Sequence, residues 1–259
     1  MYSQSFLLAV LITITACFFT PMLLLMWLMA KRRAKRVIFM LLFGVFARLA
    51  CLIVQFPASK ILNEISAIGD MGSLLITQTI FGVTTVLVLW GMLRLLKKDG
   101  LNYNRVFTIS LGFSALEVMV GTGMAYIARL MSIVSIQDGS IYEMYGSEEA
   151  AQIIDDIDSI GVIGAMMDAS SAITTIFLMA AVILIVLFSM AKNKMKTIFP
   201  ILMCGVVVKN IVSALIKLGT LGVLSIIFDL IVLGFSIVTI MKMMKIEKEI
   251  MIKPESMNK

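Results

Sequence analysis

The chain has 259 residues, of which 60% are hydrophobic and 15% charged, with no histidine and a mean hydropathy of +1.03. A soluble domain is only about half apolar, and one of this size could not bury such an excess. The formal charge of +6 would suit nucleic acid in a soluble protein. Here the basic residues stand at the ends of apolar runs, which is the orientation pattern of membrane proteins. A lipid bilayer is the expected partner, and nucleic acid is not.

Runs of about 20 apolar residues, each able to cross a hydrocarbon core of roughly 30 Å, recur between polar breaks. The predicted fold class is all-α, a polytopic membrane helical bundle in a single transmembrane domain over residues 1–259. Seven spans are expected at about 5–30, 37–56, 73–96, 105–131, 159–191, 197–217 and 219–243. The first lacks a basic leader and is too long for a signal-peptide core, so it reads as a retained membrane helix. It is followed by "KRRAKR" at 31–36. An outside N-terminus and a cytoplasmic C-terminus then place 17 of the 22 Lys and Arg residues in the cytoplasm. These are the 31–36 cluster, the stretch from Arg94 to Arg105, Lys192 to Lys196, and the tail from Lys242. Lys60, Arg129 and Lys217 fall at the outer side. The expected location is the plasma membrane of a bacterium, as a multi-pass protein.

Between spans, "ASKILNEISAIGD" (58–70) and "SEEAAQIIDDI" (147–157) read as short amphipathic helices at the surface, the second with Ser147 as its N-cap. The second belongs to an outer loop carrying Asp138, Glu143, Glu148, Glu149, Asp155, Asp156 and Asp158. An acidic run of this kind is usually a solvated surface. The C-terminal "MKMMKIEKEIMIKPESMNK" continues the last helix toward Pro254. Cys17, Cys51 and Cys204 all fall inside apolar spans and are odd in number. They read as small buried hydrophobes, not as a disulfide framework. No set of Cys, His and carboxylates has zinc-site spacing.

Five ionisable residues remain at membrane depth: Arg48, Glu117, Asp168, Lys209 and Asp229. Counted along the helices at about 1.5 Å per residue, all five fall in one layer from mid-membrane to slightly outside it. An isolated charge facing lipid costs about 2.5–3.5 kcal/mol on insertion scales. Two bases and three acids at one depth are therefore expected to share an interior, with Gln55, Gln78, Thr122 and Asn210 as hydrogen-bonding neighbours. That interior reads either as an ion-pair network that locks helix register, as a catalytic site, or as a polar cavity for a substrate or ion.

Small residues surround Glu117 in "GFSALEVMVGTG" (112–123), where Gly112, Ser114 and Ala115 precede it and Gly121 pairs with Ala125 at small-xxx-small spacing. Such residues let helix backbones approach. After Asp168, "DASSAITT" puts Ser171, Thr174 and Thr175 at three- and four-residue spacing. Those hydroxyls line a cavity or bond back to their own helix carbonyls.

Taken together, "FARLACLIVQFP" in the second span and the polar positions of spans four to seven resemble the YhfC family of proposed intramembrane peptidases, grouped with the CAAX-processing enzymes and PrsW. In that family one helix carries a pattern close to G-x-G-H-G-x-x-E, and later helices carry a His and an H-x-x-x-D. Laid on "GFSALE", the pattern keeps its acid as Glu117 and puts Phe113 at the His position. The next His position falls at Asp168, and "LMCGVVVKN" puts Cys204 and Val208 where the family has His and Asp. The resemblance implies a seven-helix fold and Glu117 as the catalytic acid.

Without imidazole, a metal site would rest on Glu117, Asp168, Asp229 and Cys204 beside two repelling cations, so no metal or other cofactor is expected. The expected function is that of a pseudoenzyme, a YhfC-like membrane protein with its His-dependent site lost, acting by binding a membrane protein or peptide. The alternatives are an active peptidase using Glu117 with buried Asp residues, as a carboxylate pair, and a small transporter using the charge cluster. The polar network carrying any of these is Arg48, Glu117, Asp168, Lys209, Asn210 and Asp229.

Overall fold

The computed structural model describes residues 2–30, 34–64, 69–96, 103–192, 194–218 and 222–251. Among them the regular structure is helical throughout: α1 (Gln4–Ala30), α2 (Ala34–Glu64), α3 (Gly69–Leu96), α4 (Tyr103–Ala115), a π-helical segment (Leu116–Gly123), α5 (Met124–Gln137), α6 (Ile141–Ala191), α7 (Met195–Leu218) and α8 (Gly222–Met251). Lys31, Arg32 and Arg33 of the basic cluster, Lys97, Lys98, and the tail with Pro254 lie outside the described residues. Seven helical stretches among the described residues are long and apolar enough to cross a membrane, α4, the π segment and α5 together forming the fourth. Phe46, Ile53, Phe56, Leu95 and Phe235 are each at least 65% exposed. So many bare large apolar side chains are tolerable only where the solvent is lipid. The chain is a multi-pass membrane protein.

Two helices organise the bundle. The membrane part of α6 packs on α1, α4 and α8, while α4 lies between α6 and α2; α3 joins α2 to α7. One core cluster contains Leu89, Leu93, Ile109, Phe113, Ile176 and Ile183, and a second gathers Phe6, Val10, Tyr126, Ile133, Ile157 and Ala165. Polar ties cross between helices where lipid offers no alternative partner. Thr13 Oγ1 donates to the Ala165 carbonyl at 2.8 Å, and Gln55 Nε2 to the Phe81 carbonyl at 3.3 Å. In membranes such bonds average about 0.6 kcal/mol.

The acidic loop before the fifth span follows its amphipathic pattern. The run Ile141–Ala191 is interrupted at Gly146 (φ 76°) and Gly161 (φ 60°), both in conformations that favour glycine. Between the breaks, Ala150 and Ile157 are buried while Glu148, Glu149, Asp155, Asp156 and Asp158 are exposed. In the turn before it, the Ser140 backbone N–H and hydroxyl both donate to Asp138 Oδ1, at 2.9 and 2.6 Å. These bonds hold the Asp138 carboxyl below its usual range. At the amino end, burial and then neighbouring Asp158 push the Tyr2 phenol up to about 12.

Three expectations need correcting. The segment 58–70 does not form a separate surface helix: α2 runs through Pro57 to Glu64, and α3 has begun by Gly69. Proline removes one hydrogen bond, yet a helix in lipid has nowhere else to place the others, so it continues. Cys204 is exposed on α7, unlike buried Cys17 and Cys51. Gly121 and Ala125 are exposed, and a methyl at Gly121 would meet nothing within 4 Å, so this pair makes no helix contact.

The close approach lies elsewhere, at the crossing of α2 and α4. A methyl added to Gly44 would overlap the Ile109 carbonyl oxygen and come within 2.7 Å of the Phe113 nitrogen; one added to Gly112 would overlap the Leu41 carbonyl. Each obstacle is backbone, which cannot swing aside. We expect Gly44→Ala and Gly112→Ala each to destabilise the fold by about 1–3 kcal/mol or more, the cost of forced overpacking. Gly121→Ala should stay within about 0.5 kcal/mol of the parent. Thermal melts of the three variants in one detergent check this; equal melting of all three would contradict it.

Candidate functional site

One turn beyond Gly44 on α2 stands Arg48, and one residue beyond Gly112 on α4 stands Phe113. The crossing brings them together, with the Arg48 guanidinium carbon 5.5 Å from the centre of the Phe113 ring. A guanidinium over a ring in a desolvated place gains about 1–2 kcal/mol from the ring's negative face. Four residues further, at the start of the π segment, Glu117 Oε2 lies 3.4 Å from Arg48 Nε. Arg48 Nη1 also donates to Gln55 Oε1 at 3.1 Å. Since Gln55 in turn donates to Phe81, the guanidinium is fixed from three sides by a ring, a carboxylate and an anchored amide.

Glu117 stands in the first turn of the π segment. Its ladder closes to the fifth preceding residue, and the Met124 N–H donates to the Met119 carbonyl. Such segments widen the helix and are frequent at functional sites. At its end, Gly123 packs on Cys17 and Phe18 of α1.

Arg48, Glu117, Gln55, Lys209 and Asn210 line a pocket of about 220 Å³, walled further by Gln78, Phe81, Thr85, Ser171, Thr175, Met179, Val206, Ser213 and Ala214. Its walls come from α2, α3, the π segment, α6 and α7. Glu117 is 38% exposed and Arg48 11%, so the carboxylate is reachable from outside while the guanidinium is the fixed member. A larger recess of about 380 Å³ lies between Leu23, Trp27, Phe107, Phe177, Ile240 and Met244. Every one of those side chains is apolar or aromatic, so the recess offers no charged group to a ligand.

The expected single interior is divided. Asp168 accepts a hydrogen bond from Tyr126 Oη at 2.9 Å, and Asp229 accepts one from Ser170 Oγ at 2.9 Å. Neither lines the pocket with Glu117, and Thr122 does not either. The reason is rotational. Ser171 and Thr175 face the pocket, whereas Thr174, one position round the helix, turns to α8 and donates to the Asp229 carbonyl at 3.2 Å. Ser170 both bonds back to Met167 and reaches Asp229, so the hydroxyls of "DASSAITT" serve both purposes. Of the positions singled out by the family resemblance, Phe113 sits beneath Arg48. Cys204 and Val208 are exposed and absent from the pocket lining.

Sequence reading missed Thr85, Ser213 and Tyr126. Helical spacing contains the first two, since Thr85 follows Gln78 by seven residues and Ser213 follows Lys209 by four. Tyr126 carried no such signal, because its direction depends on the π segment. Among the described residues no three His, Cys, Asp or Glu side chains come together. Glu117 is the carboxylate among the lining residues, and Arg48 and Lys209 oppose a cation beside it. The arrangement suits recognition by fixed donors and charge more than activation of water.

Removing one member of the ion pair strands the other. For a fully buried pair this costs about 3–5 kcal/mol; with Glu117 partly exposed, we expect about 1–3 kcal/mol for Glu117→Gln or Arg48→Met alone. The double variant should recover part of the loss, and a double-mutant cycle by chemical denaturation reads the coupling. Strict additivity would mean that the two side chains do not interact. Comparison of the chain with family models, with curated proteins and with solved structures finds no match.

Proposed function

We propose that the protein resides in the plasma membrane with its N-terminus outside and its C-terminus in the cytoplasm, and that it binds a small polar ligand at the Arg48–Glu117 pocket. The observation that carries this is the pocket itself. It gathers charged, amide and hydroxyl side chains from five segments of the apolar helical bundle, where polar groups facing lipid are expensive. The π segment supports it too, since such segments are frequent at functional sites. The pocket of about 220 Å³ is below the ~300–1,000 Å³ usual for drug-sized ligands, which favours a small solute.

Proteolysis is the less supported chemistry. On the resemblance to YhfC-type peptidases, Phe113 stands where a histidine would, and its ring holds Arg48 instead. An aspartic-type mechanism needs two carboxylates close enough to share a proton, and neither Asp168 nor Asp229 joins Glu117. A second reading, capture of a polar side chain from another protein's membrane helix, draws on the 38% exposure of Glu117.

Purified protein should gain thermal stability from members of a panel of small carboxylates, amides and amines, and Ser171→Phe, which fills the pocket, should abolish the gain. A panel without effect, or with the same effect on Ser171→Phe, would remove the proposal. Cleavage of a transmembrane peptide that is lost in Glu117→Gln would restore the peptidase. For orientation, single cysteines at Ser140 and Lys192 in a cysteine-free background should differ toward an impermeant thiol reagent, with Ser140 labelled from outside and Lys192 protected. The reverse pattern would invert the topology.

A further inference from the structure

We infer that the ligand is a small carboxylate, and that Glu117 is the carboxylate it displaces from Arg48; this rests on the pocket being a ligand site. The first support is charge. Arg48 and Lys209 bring two cationic side chains to the lining beside the Glu117 carboxylate. The second is the incomplete use of the guanidinium. Arginine presents five N–H donors in a fork that matches a carboxylate at two points. Glu117 meets that fork loosely, at 3.4 Å from Nε, and the buried Nε makes no hydrogen bond.

The two members of the pair also differ in freedom. Arg48 is held by the Phe113 ring and by Gln55, and is 11% exposed. Glu117 is 38% exposed and sits where the α-helical ladder has given way to a π segment. A competing anion therefore moves Glu117, not Arg48. Gln78, Asn210, Ser171, Thr175 and Ser213 line the rest of the cavity. Size narrows the class: a cavity of about 150 Å³ admits benzene, so about 220 Å³ admits a single ring bearing a carboxylate.

The test is calorimetric titration of the full-length chain in nanodiscs with benzoate, neutral benzamide and cationic benzamidinium. Benzoate should bind at least tenfold tighter than the other two. Glu117→Gln should tighten benzoate roughly tenfold, inside the 5–150-fold range of typical site couplings. Ser213→Asp, which adds a carboxylate to the lining without altering Arg48 or Glu117, should weaken it at least tenfold. Should Glu117→Gln fail to fold, the Ser213→Asp arm decides alone. Benzamidinium binding as tightly as benzoate, weaker benzoate binding by Glu117→Gln, or no change in Ser213→Asp overturns the carboxylate class. If benzamide binds best and Ser171→Phe abolishes it, the ligand site stands and only its anion preference falls. If none of the three probes binds, both inferences fall.

Discussion

The contact on which the site depends is the backbone approach of α2 to α4 at Gly44 and Gly112. Lipid tails are as apolar as leucine, so helices in a membrane are held by close packing, not by escape from water. Two glycines facing each other's backbones give that packing at one spot and forbid any larger residue there. The consequence is positional. Arg48 lies one turn along α2 from this point, and Phe113 and Glu117 lie one and five residues along the facing helix. A separation of α2 and α4 by the width of one methyl group would carry the 3.4 Å ion contact out of range and lift the guanidinium off its ring.

The π segment solves a second geometric problem. The fourth span must face α2 at Phe113 and Glu117, yet serve α1 and α6 further along through Gly123 and Tyr126. A regular helix of 3.6 residues per turn fixes the angle between those faces by residue count alone. Changing the ladder over Leu116–Gly123 resets that angle. One helix thereby supplies an acid to Arg48 at one level and a phenol to Asp168 at another.

Much of this was legible in the sequence, and what was not is specific. Span number, helical class and the identity of the buried polar residues follow from apolar runs and from the cost of charge in lipid. The amphipathic stretch before the fifth span was readable because Ala150 and Ile157 alternate with acids at helical spacing. Depth was also readable, but depth is not direction. Arg48, Glu117 and Lys209 share a pocket, whereas Asp168 and Asp229, counted into the same layer, face Tyr126 and Ser170. The rotation that separates them is set by the π segment and by the packing of α6 on α8, neither of which leaves a mark in hydrophobic periodicity. The separate surface helix expected at 58–70 failed differently, because α2 runs on through Pro57 to Glu64.

The same glycine contact bears on why the charges are there. A buried ion pair is often retained because it fixes register or partner choice, and replacing one with apolar residues is frequently neutral or stabilising. Between α2 and α4 sterics already constrain the register: a methyl at Gly44 would overlap the Ile109–Phe113 backbone, and one at Gly112 the Leu41 carbonyl. The Arg48–Glu117 pair is thus redundant as a lock. Its surroundings are also unlike a lock, because the pair opens onto a pocket lined by Lys209, Asn210 and Gln78 instead of closing on itself. Charges that are costly in lipid and turned toward a polar cavity are what the proposed ligand site would require.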